Sequence, residues 1–178
     1  MACDQISKGR KLSCKDQTGG IKYIDFAVYD DYGFVVANEA IATLPVLLTE
    51  VFRYEVKATV NTLTETATVN ADNRTTEIVQ ALAVTLPKLS AESQVEVQAL
   101  LAGTVIAFVW DYNGNVNVVG INNGADATTV TKATGGAGGD LSGYTIALEA
   151  KDNRLSPFLS PAAKTALKAI VSDEVIIP

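Results

Sequence analysis

Thr104-Val-Ile-Ala-Phe-Val-Trp110-Asp111 runs into Tyr112-Asn113-Gly114-Asn115 and then Val116-Asn-Val-Val-Gly120-Ile121. The first block is almost wholly apolar and reads as a buried central strand. Asn-Gly between two apolar runs is the strongest short-range hairpin signal, because both turn residues tolerate positive φ. The second block is therefore the returning strand, Val116 to Ile121, and Asn122-Asn123-Gly124 turns the chain again. A strand pair of this kind at the centre of the chain points to a mainly β protein.

Working outward, Gly143 to Ala150 places Tyr144, Ile146 and Leu148 on one face at period two and predicts another strand. Upstream, Thr75 to Leu86 carries Ile78, Leu82, Val84 and Leu86 inward at the same period, and Pro87 ends it because proline donates nothing to a ladder. From Val51 the residues Phe52, Tyr54, Val56, Ala58 and Val60 alternate with polar ones, which predicts a half-buried strand; Thr62 to Thr68 either continues it or pairs with it. Ile21 to Val28 and Phe34 to Ala37 read as two further strands around the turn Asp30 to Gly33. Between these, Ser90 is placed to cap a helix over Ala91 to Ala102, with Glu92 in its first turn, Gly103 at its exit and Val97, Leu100 and Leu101 as its apolar face. A short C-terminal helix is expected from Ala162 to Ile170. The expected fold is an antiparallel β-sandwich or small barrel with one flanking helix and that short terminal one.

The 178 residues fit one domain, 1–178, with a polar N-terminal arm over about 1–20 and a long glycine-rich loop over 125–142. Apolar residues are 48% and charged residues 19% of the chain, a balance that favours a packed core over disorder. The net charge of −6 argues against a nucleic-acid reader, which needs clustered Lys and Arg. Lys8, Arg10, Lys11 and Lys15 form a small local basic excess in the arm. No run approaches the ~18 apolar residues of a membrane span, and the first residues lack the apolar core of a signal peptide.

The chain contains no histidine, and no cluster of side chains has the spacing of acid–base, nucleophilic or metal chemistry, so it reads as a non-enzyme without a cofactor. Cys3 and Cys14, with ten residues between them, could close a disulfide in an oxidising compartment; two reduced, partly buried thiols are the expectation. Gly135-Gly136-Ala137-Gly138-Gly139 is not a phosphate loop, since Asp140 puts a negative charge where phosphate would sit. Asp111, Asn113 and Asn115 have the opening spacing of a calcium loop without its glycine and its closing acid, and the hairpin accounts for them. Trp110 reads first as core, and second as an aromatic anchor at a subunit contact.

Three segments together, LSAESQVEVQALLAG from Leu89, TVIAFVWDYNGNVNVVGINNGADA from Thr104 and GGAGGDLSGYTIALEAKD from Gly135, resemble structural proteins of tailed bacteriophages, most of all tail tube proteins. The resemblance covers residues 75–152 and rests on the strand ending in Asp111, the Asn-Gly hairpin, the Gly120 to Gly124 turn and Gly139-Asp140 before Ser142-Gly143-Tyr144. It implies a self-assembling subunit, hexameric rings stacked into a DNA-conducting tube, other tail proteins as partners, and a place in the virion tail after assembly in the host bacterial cytoplasm. The acidic chain suits a lumen that DNA passes without specific binding. A capsid decoration or head–tail joining protein, a contractile injection system tube and a ligand-binding β-sandwich are the other readings. For assembly contacts the sequence nominates Lys8, Arg10, Lys11, Trp110, Gly135, Gly136, Gly138, Gly139, Asp140, Ile176 and Ile177.

Overall fold

The structure, a computed structural model, describes residues 8–12, 14–57, 60–173 and 175–176. The central hairpin forms as the sequence demands: β7 (Val105–Asp111) and β8 (Val116–Val119) pair antiparallel with Trp110 opposite Val116. Gly114 takes φ +79 in the turn, a conformation that costs glycine little. On the other side of β7 lies β1 (Ile21–Val28), and β4 (Phe52–Glu55) closes that edge. With β2 (Val36–Ala37), β3 (Ala40–Ile41) and β11 (Phe158–Leu159), these make a seven-stranded sheet in the order β2-β3-β11-β8-β7-β1-β4.

A second sheet of four strands faces it, in the order β5-β6-β10-β9. Its strands are β5 (Thr62–Asn70), β6 (Thr75–Pro87), β9 (Asp126–Ala133) and β10 (Gly143–Asp152), all antiparallel. The fold is thus mainly β, a two-sheet sandwich with α1 (Ala91–Ala102) at its flank and a short terminal helix α2 (Pro161–Ala169). Ser90 caps α1 by accepting the Ser93 amide at 3.0 Å, and Ser160 caps α2 by accepting that of Ala163.

Alternation along β7 explains why none of its apolar residues could be spared. Val105, Ala107 and Val109 face the four-stranded sheet and pack with Ile24, Phe26, Leu82, Val84, Ile146 and Leu148, joined by Val97 and Leu100 of α1. Ile106, Phe108 and Trp110 face the other way, into a second core with Ile41, Leu48, Val51, Val116, Val118 and Leu167 of α2. The seven-stranded sheet is covered on both sides, so its central strand is apolar throughout.

Four expectations are corrected. Residues 125–142 are not one long loop, because Asp126–Ala133 is strand β9, paired with β10; its inward Ala127 and Val130 stand three apart across a bulge, which breaks the period-two pattern. The strand expected from Val51 through Val60 stops at Glu55, because the chain leaves one sheet there to begin β5 in the other. Asn61 holds that corner, accepting the Thr85 amide at 2.6 Å and donating to the Lys57 carbonyl at 2.5 Å. Thr62 to Thr68 accordingly pairs with β6 and not with β4. On α1, Leu101 is exposed while Val97 and Leu100 carry the buried face.

Candidate functional site

The four-stranded sheet ends in two edges without proline. β5 reads TLTETATVN and is exposed from Thr66 to Asn70, with no Lys, Arg or Pro along it. β9 reads DATTVTKA; its one cation, Lys132, donates to Gln94 Oε1 of α1 at 2.6 Å. Natural sheets blunt such edges with short strands, charges, prolines or bulges, since a free row of N–H and C=O groups is a template for another chain. Here only β9 carries a bulge, at Thr128, whose hydroxyl donates to the Ala147 carbonyl. The edges of the seven-stranded sheet, β2 and β4, are two and four residues long and offer far less.

Beyond β9 the glycine-rich turn spans residues 134–142 and is built around its own acid. Asp140 Oδ2 accepts the amides of Gly136 at 2.9 Å and Ala137 at 2.8 Å, and the Asp140 amide donates to the Ala137 carbonyl. Gly135, at φ +76, makes the turn that aims these amides inward. Successive amides arranged this way form an anion nest. The nest is filled by the chain's own carboxylate, whose pKa the amides of Ala137 and Gly136 hold below its ordinary value. The loop is thus self-organised, with Gly138 and Gly139 exposed at its tip.

Trp110 is buried in the second core. Its indole Nε1–H donates to Asp25 Oδ2 at 2.7 Å. Asp25 is fully buried and also accepts from Arg53, Nε to Oδ1 at 2.7 Å and Nη2 to Oδ2 at 2.8 Å. Arg53 lies over the Tyr23 ring, 4.1 Å from its centroid, and that ring packs 5.0 Å from the Trp110 ring. Its pKa is raised, first by the hydrogen bonds to Asp25. The carboxylate is spent on holding β1, β4 and β7 together and is closed to solvent.

Between the sheets, where β1 begins, an open groove of about 650 Å³ is lined by Ile21, Leu63, Val109, Leu155 and Phe158, with Asn61, Glu65, Asp111, Asn117 and Ser156 supplying polar groups. Among the described residues no Lys or Arg lines it. Glu65 reaches across to accept from the Ser156 amide at 2.8 Å and from the Ser156 hydroxyl. Asp111 accepts the Asn115 amide at 2.6 Å and its side-chain amide at 2.8 Å, which explains the Asp-Asn-Asn spacing without an ion. At the groove's end, Asn113 grips the arm: Oδ1 accepts the Thr18 amide at 3.0 Å and Nδ2 donates to the Thr18 carbonyl at 2.9 Å.

The structure gathers Gly135, Gly136 and Asp140 into one nest and leaves Lys8, Arg10 and Lys11 exposed on the arm. Ile176 is half-buried, whereas Ile177 and Cys3 lie outside the described residues. Cys14 is free and fully exposed, not partly buried. Among the described residues no three His, Cys, Asp or Glu side chains gather in a way that could hold a metal ion, and no helix is long and apolar enough to cross a membrane. Sequence reading passed over Asp25, Gln80 and Glu65. Asp25 and Gln80 sit at inward positions of otherwise apolar strands, and that polar interruption of a period-two stripe was the available signal. Comparison with protein-family models, with curated proteins and with solved structures found no match.

Proposed function

We propose that this chain is a self-assembling structural subunit, and that its assembly is the tail tube of a tailed bacteriophage. The observation that carries the reading is the pair of long, threonine-rich edges without proline, β5 and β9, on opposite sides of one sheet. Joining β5 of one copy to β9 of the next is a heterologous contact, and such contacts repeat until they close a ring or run on as a filament. A chain that stayed monomeric would have reason to protect both edges, and this one protects neither with proline or a free lysine. The tube and the hexameric ring come from the sequence resemblance, as do the virion location, the other tail proteins as partners and the passage of DNA; the net charge of −6 suits a channel that repels phosphate.

The test is negative-stain electron microscopy of the purified chain together with its mass in solution over a concentration series. Rings or hollow tubes of regular diameter support the reading. A monomer at every concentration, including in the presence of preformed assemblies as seeds, overturns it.

A further inference from the structure

We propose that the groove between the sheets is a receptor for the basic N-terminal arm, Lys8 to Lys15, of a second copy of this chain. The inference rests on the homotypic assembly proposed above but concerns a different contact: Thr62 to Glu65 of β5 line the groove, while Thr66 to Asn70 of the same strand lie beyond it.

The arm has the composition of a ligand. Every described residue from Lys8 to Gly19 is exposed, and Thr18 ties the end of the arm to the body through its two hydrogen bonds with Asn113. Four cations, Lys8, Arg10, Lys11 and Lys15, stand against one acid, Asp16, in a chain that is acidic as a whole. Among them Leu12 is completely exposed, at 102%. A leucine left in water forgoes the ~1.5–3 kcal/mol that burial would return, and nothing in its own chain buries it.

The groove is complementary. Its floor offers Ile21, Leu63 and Val109, and Leu155 and Phe158 stand at its rim about half exposed, at 52% and 47%. Glu65 and Asp111 give it two negative charges whose partners are neutral amides and a hydroxyl, with no cation among the described residues that line it. An apolar side chain flanked by cations is the chemistry such a lining takes up: the leucine into the floor, the cations along the acidic walls. The volume of about 650 Å³ lies within the range of sites that enclose a few side chains.

Occupation by a second copy follows from where the arm starts. Gly20 and Ile21 form one wall of the groove, and Thr18 is pinned to Asn113 on the hairpin beside it. For the arm to enter its own groove, the chain would have to reverse within the few residues between Leu12 and Thr18. Extended, the ten residues from Lys8 to Gln17 span about 33 Å, enough to reach a neighbouring copy.

Cys14 supplies the test in the full chain. Cys3→Ser removes the other thiol, Leu155→Cys puts a partner at the groove rim, and mild oxidation with diamide reports proximity on a non-reducing gel. The expected result is a disulfide-linked dimer, at several-fold higher yield than with a control cysteine at exposed Val46, outside both the groove and the sheet edges, and lost when Leu12→Asp or the triple change Lys8→Glu, Arg10→Glu, Lys11→Glu is added. A labelled synthetic peptide of residues 8–17, with Cys14→Ser, should compete for the groove and lose affinity with rising salt. Only an intrachain disulfide, equal yields at 155 and 46, or yields indifferent to the arm substitutions each overturn the proposal. The two readings fail separately: cross-linking without polymers keeps the groove and removes the sheet-edge assembly, and polymers without cross-linking do the reverse.

Discussion

Gln80 and Gly120 join the two sheets of the sandwich: Gln80 Oε1, on β6, accepts the Gly120 amide, just past β8, at 3.0 Å. The same side chain donates through Nε2 to the Arg154 carbonyl at 3.0 Å, so both ends of a fully buried carboxamide are satisfied. Gly120 is at φ +76, and a Cβ there would meet the Gly124 carbonyl carbon at 2.7 Å, so the turn that presents this amide is available only to glycine. Gln80→Leu keeps the volume and strands both the amide and the carbonyl. The expected loss is about 2–4 kcal/mol, read as a lowered urea midpoint at unchanged slope. A midpoint unmoved by the substitution would mean the carboxamide is not what joins the sheets.

The Asp25–Arg53 pair should behave unlike the other ion pair of the described residues, Lys151–Glu77. Arg53→Met leaves a wholly buried carboxylate with only the Trp110 indole, and the expected cost is about 3 kcal/mol, at the low end for broken buried pairs because Arg53 itself reaches solvent. Lys151→Met should cost no more than about 1 kcal/mol, as its pair is exposed. Adding Asp25→Asn to Arg53→Met should recover part of the loss. Additive penalties in that cycle would show the charge to be irrelevant.

Tyr54 sets an alkaline limit. Burial beside Phe26, whose ring packs edge-on at 5.2 Å, and secondarily the negative charge of Glu96, push its pKa up to about 12. A folded pKa above the unfolded value of about 10 means that the folded state keeps the proton longer, so the stabilising contribution is whole below pH 10 and disappears between pH 10 and 12. Two units are worth at most ~2.7 kcal/mol, and partial exposure reduces this to about 1–2. Chemical denaturation at pH 9 and pH 11.5 should show this drop in the wild type and a smaller one in Tyr54→Phe. Equal drops would exclude Tyr54 as the group responsible.

In the glycine turn, the nest geometry predicts protection of particular amides. Asp140→Ala should speed hydrogen exchange at Gly136 and Ala137 while leaving the β10 amides unchanged, since the latter are held by β6 and β9. Acid should do the same in the wild type: a carboxyl held below its ordinary pKa organises the turn above that range and releases it as pH falls through the lowered value. Exchange at these amides that ignores both the substitution and the pH would dissolve the nest as the organiser of the loop.

The elements whose residues alternate or cap cleanly were legible in advance. β7 and β8 with their Asn-Gly turn, β6, β10, and α1 between Ser90 and Gly103 each announce themselves through local chemistry. What escaped is what depends on the partner across space. β9 does turn Ala127 and Val130 toward the core, but the bulge at Thr128 sets them three apart and hides the period-two signal. The crossing at Asn61 interrupts a period-two pattern that looks unbroken in one dimension, since the residues on either side belong to different sheets. The partner of the buried acid at Asp25 was hidden for the same reason: its guanidinium lies 28 positions away, on the neighbouring strand. For the assembly contacts, the sequence singled out the arm and the glycine turn, but the edges β5 and β9 needed the sheet order.

Those edges give the decisive substitution. Thr66 and Thr68 on β5 are exposed and lie outside both cores, so Thr66→Lys with Thr68→Lys should change the unfolding midpoint by no more than about 0.5 kcal/mol. Charges on an edge oppose the approach of a second strand, because each must be desolvated or set against its copy on the incoming chain. Assembly by β5-to-β9 pairing therefore predicts that the double variant stays monomeric at concentrations where the wild type sediments as polymer, and that Thr129→Lys on β9 has the same effect. Mixing the two variants should not restore assembly, because each junction in a growing array needs one intact edge of either kind and every copy lacks one. A capped dimer is the most such a mixture can form, through the intact β9 of the first variant and the intact β5 of the second. Polymerisation of either variant alone at the wild-type concentration would place the junction elsewhere on the molecule.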